Sequence, residues 1–374
     1  MENRNNLKSR LKSGIGNAWQ IGVFSQIPVK IHWTFGVLLL FVSYTAFTNG
    51  LKTWQSIGFI FYVLILFLCV VLHEFGHALM ARKFGVITRD IVLSPIGGVA
   101  RLESIPDRPL HEFFIAIAGP LVNLCIAALL GLILFVASGQ VIPELNEFRF
   151  DEPLEFLRFI TFMNFALFLF NLIPAFPMDG GRILRAILSA KLGKVKATRI
   201  ASFIGRVFAI GFVVFGVFNQ QIVLALIGLF IFMMAGQEYN QTRIMAILSE
   251  VTVGDIMRTS FTKLHISDLY STVIDKYYRE GEHNFLVFDS MGNISGTIPE
   301  LFIKDTIKSN SMDKSINQMM STKTANVSPD DKLKDVIEIM RNGGVAIVGV
   351  EKDNQLIGVL DRNNIENYIR LKSE

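Results

Sequence analysis

The 374-residue chain has little cysteine and little charge. Its two cysteines, Cys69 and Cys125, fall inside apolar runs and form no Cys-x-x-Cys pair. That excludes a disulfide framework and a thiolate zinc cluster, and it predicts two buried free thiols. Charged residues make up 18% of the chain and the formal net charge is +4. So small an excess leaves no electrostatic footprint for nucleic acid, and none is expected as a partner. The first thirty residues carry Arg4, Lys8, Arg10, Lys12 and Lys30, with no apolar core followed by a cleavage site. A cleaved signal peptide is therefore not expected, and the first apolar run is predicted to act as the insertion signal.

Hydrophobic residues are what the chain has in quantity: 51%, with 32 Phe. They are unevenly spread. Ile31 to Ala235 is mostly apolar runs, whereas Glu250 to Glu374 has the mixed charge of a soluble domain. Six spans can be read: Ile31–Thr48, Ile57–Arg82, Glu112–Ser138, Phe156–Phe176, Ile200–Phe218 and a short Ile222–Ala235. Trp33 and Trp54 bracket the first as interface anchors do. Lys and Arg crowd the N-terminus and two connections (Arg82, Lys83, Arg89, Arg101 and Arg108; Arg182, Arg185, Lys191, Lys194, Lys196 and Arg199). The opposite side has only Lys52 and Arg149 beside Glu144, Glu147, Asp151 and Glu152. The positive-inside rule then puts both termini in the cytoplasm of a multi-pass cell-membrane protein, in contact with lipid. The expected fold is an all-α polytopic membrane domain of about six transmembrane helices, with a small β segment in one connection, followed by a soluble α/β domain.

Inside the second span lies His73-Glu74-Phe75-Gly76-His77. Helical residues four apart differ by about 40° in direction, so both imidazoles share a face and can hold one zinc ion. The intervening carboxylate can serve as general base. The same pattern also arises by chance in soluble helices, but three ionisable groups within one and a half turns of a span are costly and functional by default. His73 lies about 24 Å along a span entered from outside, which places it near the cytoplasmic edge of the bilayer.

Two histidines leave a hydrolytic zinc one protein ligand short. The fourth span ends Asn171-Leu-Ile-Pro-Ala-Phe-Pro-Met-Asp-Gly-Gly-Arg182 and brings Asp179 to the same depth. Two readings of Asp179 stand: the third ligand, or a loop aspartate capping the next helix. Depth matched to a two-histidine site favours the ligand. His32 and His111, near predicted cytoplasmic membrane ends, read as interface or capping residues.

These paired motifs, H-E-F-G-H and N-x-x-P-x-x-P-x-D-G about a hundred residues later, resemble the site-2 protease family of intramembrane zinc metalloproteases. The resemblance covers about Gln20 to Glu238. It implies one zinc per chain held by His73, His77 and Asp179, with Glu74 as general base. It implies that Asn171 holds the substrate near the scissile bond, and that substrates are membrane-anchored regulatory proteins cut in or near their transmembrane segments. Two further segments fit. The β-prone connection Asp90–Glu103, with Gly97 and Gly98, reads either as a strand edge that binds an unwound substrate or as a re-entrant plug. Gly119 and Asn123 open the third span, where Asn123 reads as a substrate-binding, hydrogen-bonding residue near the metal or as packing.

From Val251 two sixty-residue units follow with the same order of elements. The first has helix-like Ile266–Gly281 and strands Asn284–Asp289 and Ile294–Ile298; the second has Leu333–Arg341, Val345–Val350 and Leu356–Leu360. They resemble a tandem pair of CBS domains, a module that often binds adenine nucleotides and forms homodimers. The usual ribose-binding Asp is missing from Gly358-Val-Leu-Asp-Arg-Asn-Asn364, where Asp361 is the substitute candidate. Nucleotide sensing and a purely structural or dimerising module both stand. The expected division is 1–30 cytoplasmic, 31–240 protease, 250–310 first repeat and 311–374 second repeat. A CBS-regulated transporter or channel is the competing reading of the whole; it gives no reason to pair H-E-x-x-H with Asp-Gly at one depth.

Overall fold

A computed structural model describes residues 18–373 except 49, 51, 96, 103–107, 144–151 and 310–312. Arg4, Lys8, Arg10, Lys12, Glu103, Glu144, Glu147, Arg149 and Asp151 thus lie outside the described residues. The chain divides into two units, Met1–Tyr239 and Asn240–Glu374.

The first unit is helical around a small sheet. Its helices are α1 (Thr34–Thr48), α2 (Thr53–Lys83), α3 (Pro109–Ser138), α4 (Pro153–Asn171), α5 (Asp179–Leu192), α6 (Lys194–Phe218) and the first part of α7 (Ile222–Glu250). Five of them (α2, α3, α4, α6 and α7) are long and apolar enough to cross a membrane. This is the pattern of a multi-pass membrane protein. Helix α1, at 15 residues, is about 22 Å long, short of a typical hydrocarbon core. Local chemistry sets the ends. Pro sits in the first turn of α3 and α4, Gly139 takes the left-handed cap of α3 at φ 69°, and Arg82 and Lys83 meet the negative end of α2.

Several boundaries differ from expectation; α6, for one, starts at Lys194 instead of Ile200. Ile31 and His32 belong to a strand rather than to the first span. Helix α4 stops at Asn171 instead of Phe176, because Pro174 disfavours helix in the residue before it. The short sixth span is instead the first part of a 29-residue helix.

Strands β1 (Ala18–Phe24), β2 (Ile27–His32), β3 (Thr88–Ser94) and β4 (Gly97–Leu102) form one sheet in that order. Only β2 and β3 run parallel. Residues 18–30 are therefore part of the first unit's sheet, not of a separate N-terminal segment. Asp90, 2% exposed, pins three strands: Lys30 Nζ lies 2.6 Å from its Oδ2 and Arg101 Nε 2.5 Å from its Oδ1. Burial pushes the Asp90 carboxyl up, but the hydrogen bonds from Arg101 and Lys30 outweigh it and hold the group below the usual carboxylate range.

The second unit repeats strand, helix, strand, strand, helix. The first copy comprises β5 (Lys263–His265), α8 (Tyr270–Glu280), β6 (Phe285–Phe288), β7 (Ile294–Ile298) and α9 (Glu300–Ser309). The second comprises β8 (Asn326–Val327), α10 (Leu333–Gly343), β9 (Ile347–Lys352), β10 (Gln355–Asp361) and α11 (Arg362–Ser373). Each copy has a three-stranded sheet. The leading segments are exchanged. Val253 and Gly254 donate to Asp331 and Pro329 of the second copy, and Val253 packs in its core. Ile316 donates to Asp268 of the first copy and packs in its core. Division at 310/311 thus describes chain order, not packing. The end of α7 belongs here too, with Leu248 and Ile244 in the second copy's core.

Candidate metal centre

Helix α2 presents His73 and His77 one turn apart, both buried. Helix α3 crosses this face at small residues: a Cβ on Gly76 would stand 2.7 Å from the Ala118 carbonyl oxygen. A Cβ on Gly119 would stand 2.2 Å from His77 Nε2 and 2.8 Å from His73 Nε2, so only glycine fits against the rings. Asp179 arrives as the first residue of α5. Residues 172–178 fold back over that helix start. A Cβ on Gly180 would meet the Ile173 carbonyl oxygen at 2.2 Å, and one on Gly181 would meet the Ala175 carbonyl carbon at 2.6 Å.

Three atoms converge. His73 Nε2 and His77 Nε2 are 3.1 Å apart, and Asp179 Oδ2 is 3.2 Å and 3.1 Å from them. The far nitrogens settle the tautomers. His77 Nδ1 lies 2.7 Å from the Ile115 carbonyl oxygen, which can only accept, so Nδ1 donates and a neutral ring turns its Nε2 lone pair inward. His73 Nδ1 stands likewise 3.2 Å from Asn123 Oδ1. Two lone pairs and a carboxylate oxygen therefore face one point. Tetrahedral coordination at about 2.0 Å needs donor atoms about 3.3 Å apart. The triangle matches that edge, and its outer hydrogen bonds are those that orient metal-bound histidines. The residues fit a zinc ion.

Glu74 lies beside the triangle. Its Oε2 accepts from the Ala100 amide of β4 at 2.9 Å, and a Cβ on Gly98 would reach its Cγ at 2.8 Å. Gly97 is at φ +127°, a conformation that favours glycine. Asn171 is the last residue of α4, joined to Asp179 by the 172–178 turn. His32 Nδ1 lies 2.7 Å from Thr34 Oγ1 at the start of α1, and His111 stacks on Phe84 with centroids 4.2 Å apart. Cys69 is buried as expected, whereas Cys125 is exposed on α3, contrary to expectation. In the second unit Asp361 is buried. It accepts from the Asn364 amide at 2.9 Å and lies 3.3 Å from Arg258 Nη2, as a helix-capping, ion-paired residue does.

One cluster went unread in the sequence. Arg185 of α5 is fully buried, 2.7 Å from Glu112 of α3 and 2.5 Å from Glu238 of α7, with its guanidinium 4.9 Å from the Phe176 ring centre. Glu112, a lone acid at the head of an apolar run, was the available signal.

A family model for peptidase family M50 matches residues 61–214, which hold both histidines and Asp179. The chain belongs to this metallopeptidase family, the site-2 protease type. A CBS domain model matches residues 315–371. The chain is 40% identical over 231 residues to zinc metalloprotease MJ0392 of Methanocaldococcus jannaschii, covering 62% of this chain and 63% of that one. It is 26% identical over 379 residues to putative zinc metalloprotease Rip3 of Mycobacterium tuberculosis, covering 92% and 93%. A solved site-2 protease from M. jannaschii aligns at 39% identity over 59% of this chain and 95% of that one, with TM-score 0.45.

Proposed function

We propose that the protein is an intramembrane zinc endopeptidase that hydrolyses peptide bonds in or near transmembrane segments of membrane-anchored regulatory proteins. The observation that carries this is the inward-facing triangle of His73, His77 and Asp179 beside Glu74 within an apolar helical bundle. His73, His77 and Asp179 would hold one zinc ion. A zinc ion held there would supply Lewis-acid chemistry, lowering the pKa of a water and polarising a carbonyl. Glu74, beside the triangle, is placed to accept a proton as general base and return it to the leaving amine. Asn123 and the Ile115 carbonyl keep both imidazoles in the metal-binding tautomer.

Substrate must arrive unwound, because a helix hides its peptide bonds. Strand β4 is an edge of its sheet, and the outward Ala100 amide already lies against Glu74. A substrate strand added to this edge at Gly97, Gly98 and beyond runs past the carboxylate. Asn171 holds the substrate backbone at the end of α4. Both termini lie in the cytoplasm by the Lys and Arg distribution. The CBS module modulates the protease, by adenine nucleotide or by dimerisation.

The test is zinc stoichiometry in purified protein beside Asp179→Ala, followed by comparison of peptide termini in cells carrying wild type or Glu74→Gln. One zinc per chain, weakened in the variant, and a membrane fragment that accumulates with Glu74→Gln support the reading. Well-folded wild type without zinc overturns it.

A further inference from the structure

Arg206 lies within the apolar part of α6, on the same face as Arg199, two turns away. Between them on that face is Phe203, 67% exposed. Among the described residues Arg206 has no hydrogen-bond or ion-pair partner, and its Nε is buried without one. An arginine inside a span is costly and normally finds a counter-charge or reaches for the interface.

The guanidinium lies across α7. It stands 5.5 Å from the Phe232 ring centre, and a Cβ on Gly236 would approach its Nη2 to 2.9 Å. The level of this seat follows from the neighbouring contacts. Ser202 Oγ donates to the Ala235 carbonyl at 2.5 Å, and Gly205 packs on Ala235. Gly236 is thus level with Ser202, about one turn nearer the Lys194 end of α6 than the Arg206 backbone. The side chain therefore runs toward the end of α6 that carries exposed Lys196 and Arg199. Its donors stop about 4–5 Å inside Arg199, in the zone where lipid phosphates meet hydrocarbon.

We propose that Arg206, seated on Gly236, binds the phosphate of an anionic phospholipid in the leaflet at the Lys194 end of α6. Arg199 adds charge above it and Phe203 packs against the acyl chain. The planar guanidinium supplies the paired donors that a phosphate accepts. The groove offers donors without an acceptor at headgroup depth, and a phospholipid supplies the acceptor together with an apolar tail for the exposed face. This site is separate from the metal centre and does not depend on its assignment.

The test is native mass spectrometry of the full chain in detergent, titrated with phosphatidylglycerol, phosphatidylcholine or inorganic phosphate. Thermal unfolding of each variant serves as the folding control. Wild type is expected to retain phosphatidylglycerol in preference to phosphatidylcholine, with inorganic phosphate failing to compete at equal concentration. R206Q is expected to bind phosphatidylglycerol roughly tenfold more weakly, the loss of a charge-assisted hydrogen bond. G236A, which keeps the charge but displaces the guanidinium, is expected to weaken binding as well, and R206K to restore part of it. Equal retention by wild type, R206Q and G236A at unchanged melting temperature overturns the proposal and leaves a snorkelling arginine solvated by interfacial water. Competition by inorganic phosphate equally well overturns the lipid assignment in favour of a free-anion site.

Discussion

Gly119→Ala is the sharpest perturbation of the metal centre, because it adds one methyl and removes no ligand. The new Cβ would stand 2.2 Å from His77 Nε2, 2.5 Å from its Cε1 and 2.8 Å from His73 Nε2. Ordinary contact begins at 3.4 Å, so His77 must retreat by 3.4 − 2.2 = 1.2 Å and His73 by 3.4 − 2.8 = 0.6 Å, or α3 must withdraw. Metal–ligand distances tolerate about 0.2 Å. Withdrawal of α3 would also carry off Asn123 and the Ile115 carbonyl, which orient both rings. Either response lowers zinc affinity by about 100-fold or more, the upper end of the loss for disturbed outer-shell partners. Gly131→Ala is the matched control on the same helix, with its nearest contact at an ordinary 3.5 Å. Zinc affinity would be measured by chelator competition and elemental analysis, with thermal unfolding alongside. Wild-type affinity in Gly119→Ala, with Gly131→Ala equally normal, would refute the geometry on which the site rests.

Glu74→Gln is expected to keep one zinc per chain and to lower hydrolysis of a membrane-embedded substrate by about 10²–10⁴-fold, as loss of a general base does. Asn123→Ala leaves His73 unoriented and should weaken zinc about 10- to 100-fold by the same competition assay. Asp90 has a depressed carboxyl pKa. Its stabilisation is thus fully present above the unfolded value near about pH 4 and is lost as pH falls through the folded value. Thermal melting of Asp90→Asn at a series of pH values should show lower stability at neutral pH and a shallower acid slope than wild type. Arg185→Met strands the buried Glu112 carboxylate, leaves the partly exposed Glu238 to water, and should cost about 3 kcal/mol. Adding Glu112→Gln to Arg185→Met should recover part of that loss in the melting temperature.

Some of this was legible in the sequence and some was not, for identifiable reasons. His73 and His77 were readable because helical periodicity alone puts them on one face, and Asp179 because the fourth span must return to the same depth. The Ile115 carbonyl leaves no trace in residue type, since any residue has one. Strand β1 was overlooked although Trp19, Ile21 and Val23 alternate, because its turn at Ser25 and Gln26 takes positive φ without the usual Asn or Gly. Cys125 was misjudged because lipid-facing and buried helix positions are equally apolar, so hydropathy cannot separate them. The exchanged segments around Val253 and Ile316 escaped for a different reason: a repeat gives the order of elements and is silent on which copy each packs against.

Charge balance separates the structural clusters of the first unit from those that call for something external. Asp90 has two cations on one carboxylate, and both bonds stay inside the sheet. Arg185 has two carboxylates on one guanidinium and an aromatic face beside it. Glu155 and Arg158 of α4 pair with each other. Each of these supplies its own counter-charge, as burial in a low-dielectric interior requires. In the triangle of His73, His77 and Asp179 the three converging atoms are all acceptors, and the Arg182 guanidinium pairs at 3.9 Å with the other Asp179 oxygen. Arg206 is the complementary case, donors without an acceptor. Low dielectric makes both arrangements costly alone, and each is relieved by a ligand of the opposite kind: a metal cation at the first, a phosphate at the second.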